Sequence, residues 1–321
     1  MPDNKAYTGF AIAIAWPELY CKQSLSWYDY PASMLGISKS NYYRAGHAAL
    51  VLVDIAEGKC HYFDFGRYHA PFNHGRVRSA FSDHELEIKT VPEISDDGTQ
   101  LMNFRCIMEE LQNNSACHGA GALHASYSKI DFRGAYEMAT FLQTSAIAYG
   151  PFKPGRSNCS RFVNRALLAG RPGLIRSFRL RFLVPLTPTP MNNVNSLGKQ
   201  IVIPHLNPYN PLVIQKKHGR EYLRSTLDAP LRNEAVPDNA EWLGGEGAGS
   251  WFHLEEDNGA IIGTRYSPEG LIECRGSYKA SGTEKNEDIL SASVTYPSDC
   301  SKITLRKNGS IITLRLAEKF I

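Results

Sequence analysis

The sequence lacks several features that would assign it to a specialised class of protein. It has no run of about eighteen apolar residues, the length that a membrane-spanning helix requires. Its net charge is only +3, with the basic residues scattered along the chain, so we expect no nucleic-acid partner. Its seven cysteines include no CxxC pair, which argues against a zinc ribbon or a disulfide framework. With 43% hydrophobic residues, the chain has enough apolar material for a folded core.

The N-terminal region offers no targeting signal. The apolar run Phe10–Trp16 is too short for the core of a typical signal peptide and is better interpreted as a buried strand. We therefore expect a cytoplasmic protein without an integral membrane segment. The sequence contains no signal that indicates its oligomeric state.

Several small groups of histidine and cysteine invite a search for metal sites. None has the spacing of an HExxH helix or of paired CxxC motifs. The turn Gly119-Ala120-Gly121 lacks the GKS or GKT of a phosphate-binding loop. We therefore expect neither a metal nor a cofactor. The groups are His69, His74 and His84, then Cys117-His118, then His124.

Composition divides the chain into two structured regions and a connector. Residues 1–185 mix apolar strand patterns with helical spacings, and we expect Ser177–Val184 to close this region as a strand. Residues 186–249 form a connector that begins with a stretch rich in Pro and Asn. Residues 250–321 carry short strands separated by tight turns. We predict an α+β domain followed by a small antiparallel β domain. In the β domain we identify no residues with a recognisable catalytic or binding role.

One cysteine stands at a position that suits a nucleophile. The segment Pro154–Asn158 contains Pro and Gly and ends at Cys159, where a helical pattern begins. The positive end of a helix dipole lowers the pKa of a thiol and favours the reactive thiolate. Free N–H groups at the same helix end can hold an oxyanion. Cys159 is therefore a candidate nucleophile, although a buried structural cysteine would fit the same spacing.

One histidine stands at the start of a strongly apolar strand. His47 follows Gly46 and precedes Ala48, and the run from Ala48 to Asp54 is almost continuously apolar. Such a run is typical of a strand that is buried on both faces. The small residues beside His47 would leave room for a partner side chain. We take His47 as the candidate general base.

These two segments resemble a known family. Asn158-Cys159-Ser160-Arg161-Phe162-Val163 is similar to the Asn-Cys-x-x-Phe-Val motif of the lecithin:retinol acyltransferase-like enzymes. Gly46-His47 and its strand resemble the histidine strand of the same enzymes, which form a permuted branch of the NlpC-type papain-like cysteine hydrolases. The resemblance covers residues 7–170. It implies a papain-like first domain, circularly permuted so that the histidine precedes the cysteine.

The resemblance implies a role for each of these residues. Cys159 becomes the nucleophile and His47 the general base and then acid, with a third polar residue on the next strand to orient the imidazole. That strand contains His61 and Asp64, which alternation places on opposite faces. We favour Asp64, because a carboxylate between two Phe residues needs a partner, and His61 remains the alternative.

Other residues could line the cleft of such an enzyme. Tyr149 precedes the Cys159 loop, Trp27 lies in an aromatic segment before the His47 strand, and Arg161 on the Cys159 helix could bind a substrate carboxylate or phosphate. Arg76-Val77-Arg78 is expected to form a solvated basic edge.

The predicted function is cysteine-dependent hydrolysis of an amide through a thioester, in a peptide or a peptide of cell-wall type. Two alternatives remain open. One is a lipid acyltransferase or thioesterase of the same fold. The other is a binding protein that retains the fold without catalysis. Ser160-Arg161 departs from the acidic residue and histidine that commonly follow the cysteine in the acyltransferase-like members, which weakens the lipid alternative.

Overall fold

The computed structural model describes residues 7–23, 27–34, 36, 38–144, 146–205, 221–282 and 284–321, which form seven α-helices and seventeen β-strands. Residues 1–6 and the stretch 206–220 of the predicted connector lie outside the described residues. The helices are α1 (Asp29–Met34), α2 (Phe104–Asn113), α3 (Phe132–Gln143), α4 (Cys159–Ala169), α5 (Leu174–Phe182), α6 (Pro190–Leu197) and α7 (Asn286–Leu290). The strands are β1 (Gly9–Trp16), β2 (Cys21–Lys22), β3 (Ser38–Lys39), β4 (Tyr42–Tyr43), β5 (His47–Asp54), β6 (Lys59–Gly66), β7 (His74–Arg78), β8 (Leu123–Ile130), β9 (Ile147–Ala148), β10 (Ile201–Ile203), β11 (Glu241–Leu243), β12 (Ser250–Asp257), β13 (Ala260–Tyr266), β14 (Ile272–Ala280), β15 (Ser293–Thr295), β16 (Lys302–Lys307) and β17 (Ser310–Lys319).

The first half of the chain is built on a seven-stranded antiparallel sheet. Its strand order is β10-β8-β1-β5-β6-β7-β9, so β1 and β5 occupy the centre. Helices α3, α4 and α6 cover one face, and α2 covers the other. Because both faces are covered, every residue of β1 and nearly every residue of β5 is buried, which explains their continuous apolar sequences.

The two faces of the central strands differ in side-chain size. The face towards α3, α4 and α6 presents alanines from β1 at positions 11, 13 and 15, together with Ala48 from β5. The face towards α2 presents the larger residues Phe10, Ile12, Ile14 and Trp16. Small side chains let a helix approach the sheet closely at native packing density. The alternation thus brings α4, with Cys159 at its start, close to β5.

The second half contains a separate β domain near the C-terminus. Its seven-stranded antiparallel sheet has the order β11-β12-β13-β14-β17-β16-β15 and a core that includes Phe252, Tyr278 and Leu305. The predicted combination of a first part that contains both helices and strands with a following antiparallel β domain is therefore confirmed. The boundaries at residues 185 and 249 remain predictions. A third, three-stranded sheet, β2-β4-β3, flanks the site described below.

One predicted element is wrong. Ser177–Val184 is not a strand, because most of it belongs to α5. Apolar residues at 178, 180 and 182 alternate with polar ones as in a strand, but Leu174, Phe178 and Phe182 also follow each other at the spacing of one helical turn. Phe178 and Phe182 pack ring to ring at 5.2 Å, and only Leu180 of the helix is buried.

The described part of the chain contains no helix with both the length and the apolar character that crossing a membrane requires.

Candidate active site

Cys159 is the first residue of α4. Asn158 caps the helix, with its side-chain oxygen accepting a hydrogen bond of 2.9 Å from the Arg161 N–H. The side chains that follow, including Phe162 and Val163, are fully buried against the central sheet. The cap fixes the start of the helix, and the buried face fixes its rotation, so the Sγ of Cys159 is held at the end of the sheet. The first N–H groups of a helix have no partner within the helix, so those of Cys159 and Ser160 are oriented towards the same space.

His47 is the first residue of β5 and packs against aromatic rings. Its imidazole stacks on Trp16 with the ring centroids 5.8 Å apart, and it is 3% exposed. The preceding Gly46 has φ +69°, and a Cβ there would lie 3.0 Å from the Trp16 carbonyl oxygen. Glycine is therefore required for the turn that delivers His47 to the strand. Gly46, which the sequence analysis noted as a small neighbour of His47, thus serves to form this turn.

Asp64 and Arg78 extend the site across the adjacent strands. In the antiparallel register, Ala49 of β5 faces Asp64 of β6, and Asp64 faces Arg78 of β7. His47 lies on the same face as Ala49 because side chains alternate along a strand. Asp64 Oδ2 therefore lies 3.3 Å from His47 Nε2, while Arg78 donates to both oxygens of Asp64 at 2.9 and 2.5 Å. Tyr62 adds a hydroxyl donor to Oδ2 at 3.2 Å.

The electrostatics of this chain favour a charged dyad. Burial alone would lower the pKa of His47, but hydrogen bonds with Asp64 and Cys159 raise it to about 9. Burial would raise the pKa of the Cys159 thiol, but the hydrogen bond from His47 and the N–H of Ala48 hold it below its ordinary value. Despite burial, the Arg78 guanidinium and His47 hold the pKa of Asp64 well below its usual range. Both shifts stabilise a thiolate beside an imidazolium relative to the neutral pair.

The other candidate for the third residue lies elsewhere. His61 points to the opposite face of β6, where its ring contacts Tyr136 of α3 with centroids 5.2 Å apart. Of the two candidates, the structure brings Asp64 to His47 and leaves His61 on the α3 side of the sheet. The alternation argument made from the sequence describes this placement correctly.

A cleft of about 770 Å³ opens onto the dyad. Its lining includes Cys159, His47 at the start of β5, and Tyr68, which follows the end of β6 by two residues. Much of the lining is polar, and it includes two cations, Lys22 and Arg67, and the carboxylate of Glu246. Arg67 is paired with Glu246 at 2.5 Å. Further lining side chains are Trp16, Cys21, Tyr42, Phe65, Gln112, Asn113, Asn114, Ser115, His118 and Tyr149.

The three predicted substrate-binding residues have different placements. Tyr149 lines the cleft, where its ring stacks on Phe65 at 6.1 Å and lies under the Arg67 guanidinium at 4.7 Å. Trp27 is 70% exposed and packs on Phe152 outside the cleft lining. Arg161 also lies outside that lining. Its Nη1 donates to the carbonyl oxygens of residues 150, 151 and 153, so it braces the loop before Cys159 instead of facing a substrate.

The predicted basic edge is wrong. Arg76 and Arg78 are both buried, and each is held by a carboxylate, Arg76 by Asp83 and Arg78 by Asp64. They alternate with Val77 and point to the same face of β7, so the R-x-R spacing could have indicated a shared buried face. No local pattern indicates which carboxylates pair with them, because strand order determines the pairs.

A second thiol in the cleft also escaped the sequence analysis. Cys21 lies on β2, lines the same cleft and lies near enough to act on Cys159 electrostatically. Burial, followed by the proximity of Cys159, raises the pKa of Cys21 to about 12. The same cleft therefore holds one thiol whose pKa is raised and one whose pKa is lowered. No motif marks it, since it comes to the cleft through the small three-stranded sheet.

Comparisons with known proteins cover both halves of the chain. A family model described as type VI secretion system effector TseH-like matches residues 11–172, a range that includes His47, Asp64 and Cys159. A model described as DUF6695 C-terminal domain matches residues 240–317. A crystal structure of the type VI secretion system effector TseH is similar, with 15% identity, a TM-score of 0.41, and coverage of 63% of this chain and 95% of that chain. A search of curated proteins found no match.

Proposed function

Because the chain belongs to the TseH-like family of type VI secretion system effectors, we propose that it is an effector that hydrolyses amide bonds with Cys159 as its nucleophile. One observation carries the proposal: the thiol of Cys159 and the carboxylate of Asp64 both interact with the imidazole of His47, and Cys159 and His47 line the same cleft. The order of histidine strand before cysteine helix is that of a circularly permuted NlpC-type papain-like domain, and we propose this relationship also.

The chemistry follows from the charged dyad. The Cys159 thiolate attacks the amide carbonyl carbon, and the N–H groups at the start of α4 stabilise the oxyanion, with the Tyr149 hydroxyl as a further candidate donor. Protonated His47 gives its proton to the departing amine nitrogen, and the C–N bond breaks to leave a thioester. Neutral His47 then takes a proton from water, whose oxygen attacks the thioester. The carboxylic acid leaves and the thiolate–imidazolium pair is restored.

Asp64 acts through His47. Its Oδ2 faces Nε2, which leaves Nδ1 as the ring nitrogen for the thiol and the leaving group. Arg78 and Tyr62 hold the carboxylate in place, so the imidazole cannot rotate without breaking a buried hydrogen bond. We propose Asp64 as a positioning residue.

The cleft supports a peptide substrate over an acyl chain. Lys22 and Arg67 place positive charge in the lining while they bond to the Ser225 carbonyl oxygen and to Glu246, and Ser115 adds a hydroxyl group that suits a peptide bond or a carboxylate. These polar groups are mixed with apolar side chains such as Leu19 and Leu111, whereas an acyltransferase or thioesterase would need an almost wholly apolar channel at the nucleophile. A binding protein without catalysis would have no need for a thiol pKa held below its ordinary value. We therefore propose a peptide, in particular a peptide of cell-wall type, as the substrate.

Digestion of purified peptidoglycan tests the proposal. The protein is incubated with sacculi and with short peptides, and the products are separated by liquid chromatography and identified by mass spectrometry. We expect fragments with new amine and carboxyl ends from the wild-type protein. Cys159→Ala and His47→Ala should each lower the yield of these fragments at least 100-fold. Cys106→Ser is the control and should leave the yield unchanged, because Cys106 is an exposed thiol outside the cleft lining.

Two results would contradict the proposal. Release of fatty acid from acyl esters without peptide cleavage would favour the lipid alternative. Cleavage of neither substrate class, with Cys159 reacting no faster than an ordinary thiol, would favour a binding protein.

A further inference from the structure

A second cluster of reactive side chains lies where the two halves of the chain meet, outside the cleft lining. His84 belongs to the first half, and Cys274 and Cys300 belong to the β domain. One nitrogen of His84 and the two sulfur atoms all lie within 4.8 Å of one another. Zinc bonds of about 2.3 Å to sulfur and 2.0 Å to nitrogen bring tetrahedral ligand atoms to roughly 3.5–4 Å from each other. The observed separations are therefore close to those of a metal site.

We propose that His84, Cys274 and Cys300 bind a divalent cation that favours sulfur and nitrogen ligands, Zn²⁺ above all, and that this cation fastens the β domain to the first half of the chain. The site is independent of the proposed amide hydrolysis.

Backbone contacts fix the positions of both cysteines. Cys274 on β14 faces Arg265 on β13 in the sheet register. Cys300 precedes β16, its N–H donates to the carbonyl oxygen of Ser82 at 2.9 Å, and its own carbonyl oxygen accepts from the Tyr278 hydroxyl at 2.8 Å. Cys300 is therefore tied directly to the segment that carries His84. Rigidly placed ligands reduce the entropy lost when a metal binds.

The environment of His84 suits a metal ligand. Its Nδ1 lies 3.2 Å from the carbonyl oxygen of Ile321. A carbonyl oxygen can only accept, so Nδ1 carries the proton and Nε2 keeps its lone pair. Metal-binding histidines commonly use the second nitrogen in this way to fix their orientation. His84 is half-buried, whereas both cysteines are buried, so a cation could enter from the histidine side.

Charged side chains of both signs surround the cluster. Arg265 contacts the carboxylates of Asp83, Glu85 and Glu273, and Arg76 contacts Asp83. This network holds three carboxylates and two guanidinium groups, and the ammonium group of Lys319 acts on His84 as a third cation. One oxygen of Glu85, Oε2, is buried with no hydrogen-bond partner. Glu85 directly follows His84 but is not part of the cluster, so a water on the metal is the partner that this oxygen would find.

Metal analysis of the full-length protein tests the site. The reduced protein is incubated with Zn²⁺, desalted, and measured by plasma mass spectrometry, and a parallel sample with Co²⁺ is examined for thiolate-to-cobalt absorption. We expect about one metal per chain in the wild type and in Cys117→Ser, a matched buried cysteine outside the cluster. Cys274→Ser, Cys300→Ser and His84→Gln should each bind at least 10-fold more weakly.

X-ray absorption of the zinc-loaded wild type covers the case in which a variant does not fold. We expect two sulfur neighbours at about 2.3 Å and at least one nitrogen at about 2.0 Å. An oxygen-only shell would overturn the proposal, as would less than about a tenth of a metal per chain in the reduced wild type. A Cys274–Cys300 disulfide that survives mild reductant, detected by a mass lower by two hydrogens, would overturn it as well.

Discussion

At the scale of single residues, the two thiols of the cleft provide an internal comparison. His47 holds the pKa of Cys159 below its ordinary value, whereas burial raises the pKa of Cys21 to about 12. Only the thiolate reacts with iodoacetamide. At about pH 6 we expect Cys159 to be alkylated at least 10-fold faster than Cys21. Even an ordinary thiol, with a pKa of roughly 8.5, is almost entirely protonated at that pH, and the raised pKa of Cys21 leaves it still less thiolate. Peptide mapping by mass spectrometry measures both rates in one sample.

His47→Ala is the control for this experiment. It removes the imidazole that stabilises the thiolate, so the rate at Cys159 should fall towards that of an ordinary buried thiol while Cys21 is unaffected. Equal rates at the two cysteines in the wild type would contradict the charged dyad.

The protonation of His47 predicts different pH profiles for alkylation and hydrolysis. Hydrolysis needs the imidazolium as the acid for the leaving amine, and the pKa of His47 is raised to about 9. We therefore expect kcat/KM for an amide substrate to fall as the pH rises through about 9. Alkylation needs no acid, so its rate should stay level over the same range. A decline of both rates together would point to unfolding, and a level hydrolysis rate would contradict the role of His47 as acid.

The residues of the candidate site differ in how readily the sequence alone predicts them. Cys159 and His47 stand beside structural signals, a helix start and a Gly before an apolar strand, so both could be selected from the sequence. The place of Asp64 beside His47 follows from alternation once the hairpin of β5 and β6 is assumed. Arg78 could not be assigned, because its pairing with Asp64 depends on β7 lying next to β6. Long-range strand order leaves no local pattern in a sequence.

At the scale of elements, the cap of α4 links stability to reactivity. The Asn158 side chain accepts from the Arg161 N–H at 2.9 Å. Asn158→Ala should lower the free energy of unfolding by about 1 kcal/mol, the usual loss for an N-cap. Urea denaturation followed by circular dichroism measures this change.

Asn158→Asp separates the two effects. The carboxylate keeps the acceptor and suits the helix dipole, so we expect stability within about 0.5 kcal/mol of the wild type. The added negative charge lies next to Cys159 and opposes formation of the thiolate, so alkylation at about pH 6 should slow several-fold. Unchanged alkylation in Asn158→Asp would mean that the charge at the helix start has no influence on the thiol.

The elements that were predicted correctly and the one that was not differ in what surrounds them. β1 and β5 are buried on both faces, so their sequences are uniformly apolar and easily recognised. Helix α5 buries only Leu180, and its remaining apolar residues are exposed. Because so little of α5 is buried, its apolar residues do not follow the pattern of a single buried face. The same residues therefore fit a strand or a helix, and the local alternation led to the wrong prediction of a strand.

At the scale of the whole molecule, one buried arginine joins the β domain to the first half. Arg265 of β13 is 1% exposed and contacts Asp83 and Glu85 across the junction and Glu273 within the β domain. Asp83 retains Arg76 when Arg265 is removed, but Glu85 and Glu273 lose their cation. Removing one member of a buried ionic network leaves uncompensated charge, which commonly costs about 3–5 kcal/mol.

Arg265→Met should therefore lower the free energy of unfolding by about 3 kcal/mol or more at neutral pH. Arg275→Met is the matched control, since Arg275 belongs to the same sheet but pairs with Glu255 at a half-exposed position, and its loss should cost less than about 1 kcal/mol. Protonation neutralises the carboxylates that Arg265→Met leaves unpaired, so its deficit should shrink as the pH is lowered towards about 5. Urea denaturation at both pH values measures all of these differences. Equal losses of unfolding free energy in the two variants, or a loss in Arg265→Met that does not depend on pH, would contradict this prediction. Packing alone would then hold the junction, and the buried charges would add no stability between the domains.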